Sequence, residues 1–96
     1  MQVVKLNRTH KLYHKGFTHA FRGNYAIDSE LMVVSKYFER VYGSRRLDRN
    51  GPWYAGFGTS KMKVTGPFGN TYTTNPYWVA VRNEADITAA LLVIGA

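Results

Sequence analysis

One segment in the middle of the chain carries apolar residues at the spacing of an α-helix. Four of them fall at positions i, i+3, i+7 and i+10, namely Leu31, Val34, Phe38 and Val41. This spacing places them on one helix face, where we expect them to be buried. Asp28 and Glu30 supply a cap and an acidic first turn, and Gly43 is a stop signal. The pattern predicts a helix over residues 29–42.

A second helical pattern lies near the C-terminus. Asn83 is a good N-cap residue, Asp86 adds an acid in the first turn, and Gly95 is a stop signal. The apolar residues of one face are Ile87, Ala90, Leu91 and Ile94. We expect this face to complete the core, and the pattern predicts a helix over residues 84–94.

Most of the remaining chain has the patterns of β-strands. The five segments are residues 3–6, 17–22, 53–58, 61–64 and 77–82. In the second segment Phe17, His19 and Phe21 occupy alternate positions, which predicts that they share one face of a strand. The sequence therefore predicts a single α+β domain over residues 1–96. Its small, mostly antiparallel sheet of about five strands carries both helices on one face.

Composition limits the classes of protein to which the chain can belong. With 45% hydrophobic residues it is not expected to be disordered, and the absence of Cys excludes disulfides and Cys-ligated zinc. The longest apolar run, residues 89–94, is far shorter than the roughly 20 residues of a membrane span. We expect a cytoplasmic protein with no membrane association.

Charge is the most informative feature for function. The chain has 13 Lys and Arg against 6 Asp and Glu, a net charge of +7. The cations are concentrated in two regions, residues 1–22, which hold no acid, and residues 36–63. Two basic regions that are poor in acids predict a surface that attracts polyanions.

Candidate binding residues follow from these two regions. Arg grips phosphate with two parallel hydrogen bonds, and Trp or Tyr stacks on bases. The candidates for contact with nucleic acid or another partner are Lys11, Lys15, Arg22, Arg45, Arg46, Arg49, Trp53, Tyr54, Lys61 and Lys63. An alternative for the loop at 43–54 is a solvated segment whose Arg residues favour the preceding helix C-terminus, and the sequence does not separate the two.

No arrangement of residues predicts catalysis or a bound cofactor. Four of the six acids are explained as helix caps, which leaves Glu39 and Asp48 without a partner for acid–base chemistry. His10 and His14 lie four residues apart, but no helical pattern surrounds them and no carboxylate is near. The glycines at 56–61 are interpreted as a tight hairpin connection. We expect no catalytic residue, no metal and no cofactor.

Two functional interpretations follow. The leading one is a small basic, non-enzymatic domain that binds nucleic acid or another polyanion with little sequence specificity. The alternative is a protein–protein interaction module, either an inhibitor of a cellular enzyme of the kind that a phage encodes or a subunit of a larger assembly such as a virion. Tyr, Trp and Arg are frequent in interface hot spots as well, so the sequence leaves both open.

Overall fold

The computed structural model describes residues 1–43, 51–59, 61–66 and 68–95. Its strands are β1 (Gln2–Lys5), β2 (His19–Gly23), β3 (Trp53–Phe57), β4 (Met62–Thr65), β5 (Thr71–Thr74) and β6 (Tyr77–Val81). Its helices are α1 (Ser29–Tyr42) and α2 (Glu84–Gly95). The predicted α+β class is confirmed, and both helices agree with their predicted ranges to within one residue.

The strands form two antiparallel sheets. The larger has the order β1-β2-β6-β3, and the smaller is the hairpin β4-β5. The predicted small antiparallel sheet agrees roughly with this arrangement, in which the described strands divide into a sheet of four and a sheet of two. Strand β5 was not predicted, because its Thr71–Thr74 segment is mostly exposed and has no apolar alternation. The hairpin connection predicted at 56–61 was wrong, because β3 pairs with β6 and β4 pairs with β5.

Both helices cover the same face of the larger sheet, which we call the helix face. The buried cluster between the layers consists of Phe21, Leu31, Val34, Phe38, Trp53, Ala55, Tyr77, Val79, Val81, Ile87 and Ala90. Trp53 is completely buried in it, and its indole Nε1 donates a hydrogen bond to the carbonyl oxygen of Gly43 over 3.3 Å. The core thus occupies most of the helix face.

Two residues predicted to be buried are instead half exposed. Val41 is 50% exposed and Leu91 is 44% exposed. Val41 lies in the last turn of α1, where the apolar stripe leaves the core. Leu91 lies at the margin of a narrow buried stripe in α2 that runs through Ile87 and Ala90.

The opposite face of the larger sheet is partly covered by the chain between β1 and β2. This segment, residues 6–18, includes a 3-10 turn and inserts Leu12 and Phe17 against Ala20 and Ala80. Phe17 and Phe21 therefore belong to different clusters, on opposite faces of the sheet. The prediction that they share a face was wrong because the chain departs from the strand pattern before β2 begins.

Arg82 anchors this covering segment to the rest of the fold. Its Nη1 donates to the carbonyl oxygen of Lys15 over 2.6 Å, and its Nε donates to the carbonyl oxygen of Gly51 over 3.0 Å. The guanidinium carbon lies 4.3 Å from the ring centroid of Phe17. This cation supports the fold, and its contacts hold the segment at 6–18 in place beside the sheet.

Candidate nucleic-acid interface

Strand alternation sends one set of aromatic side chains away from the helices. In β3, Trp53 points into the core, so its neighbour Tyr54 points to the opposite face. In β6, Trp78 lies on that same opposite face, in register with Arg22 on β2 and Gly56 on β3. We call this the binding face, and the candidate interface is built on it.

Gly56 in β3 and Gly58 directly after it leave room for the rings of Tyr54 and Trp78. A Cβ atom at position 56 would come within 2.6 Å of the Tyr54 hydroxyl oxygen. A Cβ atom at position 58 would overlap the indole nitrogen of Trp78 and come within 2.9 Å of its Cδ1. Because glycine has no side chain, the rings of Tyr54 and Trp78 approach the backbone of the strand.

The result is a groove between the covering segment and the end of β3. We call it the aromatic groove, and its volume is about 210 Å³. It is lined by His10, Lys11, Leu12, Tyr54, Gly56, Phe57, Gly58, Thr59 and Trp78. Aromatic surface and a cation meet in one concave site, which is the combination that binds the bases and phosphates of nucleic acid.

His10 forms one wall of the groove. Its ring centroid lies 4.8 Å from that of Trp78, with 59° between the planes. The Leu12 amide donates a hydrogen bond to Nδ1 of His10 over 3.1 Å, so the neutral ring carries its proton on Nε2. Burial first, and the positive charge of Lys11 second, lowers the pKa of His10 below its ordinary value. His10 therefore presents an uncharged aromatic ring with a donor at neutral pH.

Cations lie beside the rings. The guanidinium carbon of Arg22 is 5.6 Å from the ring centroid of Trp78, a cation–π contact across neighbouring strands. Lys11 lines the groove itself, and Lys15 is exposed at the end of the 3-10 turn. The structure thus brings Lys11, Arg22 and Tyr54, three of the predicted binding residues, to the binding face.

The acidic residues that the structure describes lie away from this face. Among the residues that the structure describes, every Asp and Glu lies in a helix or directly before one: Asp28, Glu30, Glu39, Glu84 and Asp86. The charged residues of the covering segment at 6–18 are all cations, namely Arg8, Lys11 and Lys15. This separation of charge makes the described part of the binding face attractive to anions.

Three other described candidates, Trp53, Lys61 and Lys63, do not line the groove. Trp53 is fully buried and therefore unavailable to a ligand, although its neighbour Tyr54 is accessible. Lys61 and Lys63 are exposed beside and within β4, in the smaller sheet. The predictions for Arg45, Arg46 and Arg49 lie outside the described residues.

Trp78 and His10 line the groove but were not among the sequence-based candidates. Trp78 was recognised only as a member of an alternating strand, and His10 only as an unconvincing metal ligand. The sequence did contain a signal for Trp78. Tyr77, Val79 and Val81 were assigned to one face of the strand, so alternation places Trp78 on the other face. His10 carries no such signal, since it lies in the non-periodic segment at 6–18.

The histidines do not gather into a metal site in the described ranges. The rings of His14 and His19 have protein partners, the carbonyl oxygen of Arg8 at 2.6 Å and the Thr18 hydroxyl at 2.9 Å. Across residues 1–43, 51–59, 61–66 and 68–95, no three His, Asp or Glu side chains are grouped to hold an ion.

Neither described helix is long and apolar enough to cross a bilayer. No protein-family model, curated protein or solved structure matches the chain.

Proposed function

We propose that this protein is a non-enzymatic domain that binds nucleic acid with little sequence specificity through the binding face of its larger sheet. One observation carries the proposal: Tyr54 and Trp78 line a groove with Lys11, on a face whose covering segment holds cations and no acids. Cations supply the salt-dependent attraction to phosphate that dominates such binding. Aromatic rings supply contacts that every base can make.

Low sequence specificity follows from the same geometry. Base sequence in a duplex is read mainly by side chains that enter the major groove on a helix or a ribbon. Here the helices lie on the other face of the sheet, where α1 and α2 pack on the core. Contacts from the binding face would therefore fall on phosphates and ring surfaces, which carry little sequence information. The lack of Cys fits a reducing cytoplasm, where we place this activity.

The test compares two variants that remove equal charge from opposite faces. Lys11→Gln/Arg22→Gln removes two cations from the binding face, and Lys36→Gln/Arg40→Gln removes two exposed cations from α1. Binding of labelled single-stranded and duplex oligonucleotides is measured by fluorescence anisotropy from about 50 to about 200 mM salt. Because each phosphate contact contributes about 0.7 to 0.9 to the log–log slope, the first variant should flatten it by about 1.5.

The control should keep the wild-type slope within about 0.5, because α1 lies on the helix face. An equal decrease of the salt slope in both variants would show that the net charge attracts the oligonucleotide without a defined binding surface. Absence of binding by the wild-type protein at low salt would overturn the proposal.

A protein–protein interaction module is the second candidate, and α2 is the observation that favours it. This helix is apolar on most sides, yet only Ile87 and Ala90 are buried, and Leu92 is 70% exposed. Exposed apolar helix surface marks interaction sites. A pull-down from lysate with and without nuclease separates the two candidates. Capture that disappears with nuclease supports nucleic-acid binding, and a defined protein that survives nuclease and is lost in Leu92→Glu supports the alternative.

A further inference from the structure

The aromatic groove is small for a ligand site. Its volume of about 210 Å³ is below the roughly 300–1,000 Å³ of pockets that enclose drug-sized ligands. Tyr54, Trp78 and His10 line it together with Gly56 and Gly58. A volume of this size favours a small ligand, such as a single planar ring system.

The polar groups of the groove suit a base more than an aliphatic side chain. With Nδ1 occupied by the Leu12 amide, the Nε2 of His10 carries a proton that can be donated to a ligand oxygen or nitrogen. Lys11 adds an ammonium group at the rim, where a phosphate attached to the ligand would be neutralised. A flat heterocycle with hydrogen-bond acceptors and an adjoining phosphate matches both features.

We propose that the aromatic groove takes one unpaired nucleobase, stacked against the rings of Tyr54 and Trp78, with the adjoining phosphate at Lys11. This inference rests on the proposed function and adds to it a preference for single strands. In a duplex the faces of the bases are covered by their neighbours, so no ring is free to enter the groove. The base is carried either by a strand or by a free nucleotide, and the experiment separates these sources.

The first measurement compares a thymidylate oligonucleotide of about six residues, near the lower end of known site sizes, with an abasic backbone of equal length and charge. The two ligands present the same phosphates, so their salt slopes should agree. Loss of one stacked base should weaken binding of the abasic ligand by about 5- to 100-fold at a given salt concentration. Thymidine monophosphate serves as the free-nucleotide probe.

The second measurement uses the two tryptophans of the chain. Trp53 is buried and Trp78 lines the groove. The thymidylate ligand should quench the fluorescence of the wild-type protein, and Trp78→Phe should abolish this quenching although Trp53 is still present. Tyr54→Phe keeps the ring and should retain affinity, whereas Tyr54→Ala should lose it about 5-fold or more. Thermal melting of each variant verifies that it is folded.

The outcomes separate the base site from the proposed function. Equal affinity for the thymidylate and abasic ligands, with an intact salt slope, would overturn the base site and leave nucleic-acid binding standing. No binding of either ligand at low salt would overturn both. If thymidine monophosphate quenches the fluorescence at the same concentration as the oligonucleotide, a free nucleotide is sufficient. That result would overturn the preference for single strands. Strong quenching by the oligonucleotide alone supports the inference as stated.

Discussion

Trp78 lies so close to Gly58 that a methyl group on the glycine would overlap its indole nitrogen. Gly58 is itself held in place, because its amide donates a hydrogen bond to the carbonyl oxygen of Pro76 over 2.8 Å. The end of β3 and the ring of Trp78 therefore fit each other, and the shape of the aromatic groove depends on that fit.

The first prediction concerns this contact. Gly58→Ala should displace the Trp78 ring at a cost of about 1–3 kcal/mol in the free energy of unfolding, which is typical of overpacking. It should shift the tryptophan emission and weaken oligonucleotide binding. Gly95→Ala is the matched control, because a Cβ at that position meets no atom within 4 Å. A Gly58→Ala protein with unchanged emission and affinity would show that the groove does not depend on this glycine.

The second prediction concerns α1. Phe38 is completely buried and its ring centroid lies 5.9 Å from that of Trp53, whereas Val41 on the same helix is half exposed. Phe38→Ala should cost about 3–5 kcal/mol, a large part of the stability of a small domain, and Val41→Ala less than about 1 kcal/mol. Urea unfolding measures both. Similar losses in the two variants would mean that α1 presents a different face to the sheet.

The third prediction concerns the contact between the helices. The Tyr42 hydroxyl donates a hydrogen bond of 2.7 Å to the Asp86 carboxylate, joining the end of α1 to the start of α2. This bond, followed by burial, raises the pKa of Tyr42. A raised pKa means that the folded state holds the proton more tightly, so the stabilisation is present at neutral pH and is lost as the pH rises above 10.

Tyr42→Phe should therefore cost about 0.5 kcal/mol at neutral pH, the low end for a hydrogen bond because the site is exposed. The variant should also lose less stability than the wild type between neutral and strongly alkaline pH. Chemical unfolding at several pH values measures both effects. If the two proteins lose stability in parallel as the pH rises, Tyr42 and Asp86 are not coupled in solution.

The fourth prediction concerns acid. The pKa of His10 is lowered in the folded state, so the unfolded chain takes up a proton first as the pH falls below 6.5. Stability from this group is present above that pH and is lost below it. His10→Asn keeps an acceptor near the Leu12 amide but does not titrate. It should reduce the loss of unfolding free energy between about pH 7.5 and about pH 5, and an unchanged acid dependence would contradict the assigned role of His10.

The helices could be predicted from the sequence because their signals are local. The caps, the glycine stops and the apolar spacing of α1 and α2 all act within one element. The strands of the larger sheet were visible for the same reason, but not their pairing. The β4-β5 hairpin could not be predicted, because its second strand, Thr71–Thr74, has no apolar alternation.

The candidate site was only partly predictable. Alternation alone requires Trp53 and Tyr54 to point to opposite faces, so they could not both contact a ligand. The groove also needs the segment at 6–18, which has no periodic pattern and is placed by tertiary contacts, such as the hydrogen bond from Arg82 to the Lys15 carbonyl. Its position over the sheet could not be inferred from residues near it in sequence.

The central claim is that nucleic acid binds the face of the sheet opposite the helices. The most direct measurement is an NMR titration of the labelled protein with a short thymidylate oligonucleotide. We predict that the shifted amides lie in the segment at 6–18, at 54–59 and around Trp78, and that the indole N–H signal of Trp78 moves while that of the buried Trp53 does not. Shifts confined to α1 and α2, or no shifts at low salt, would contradict the account.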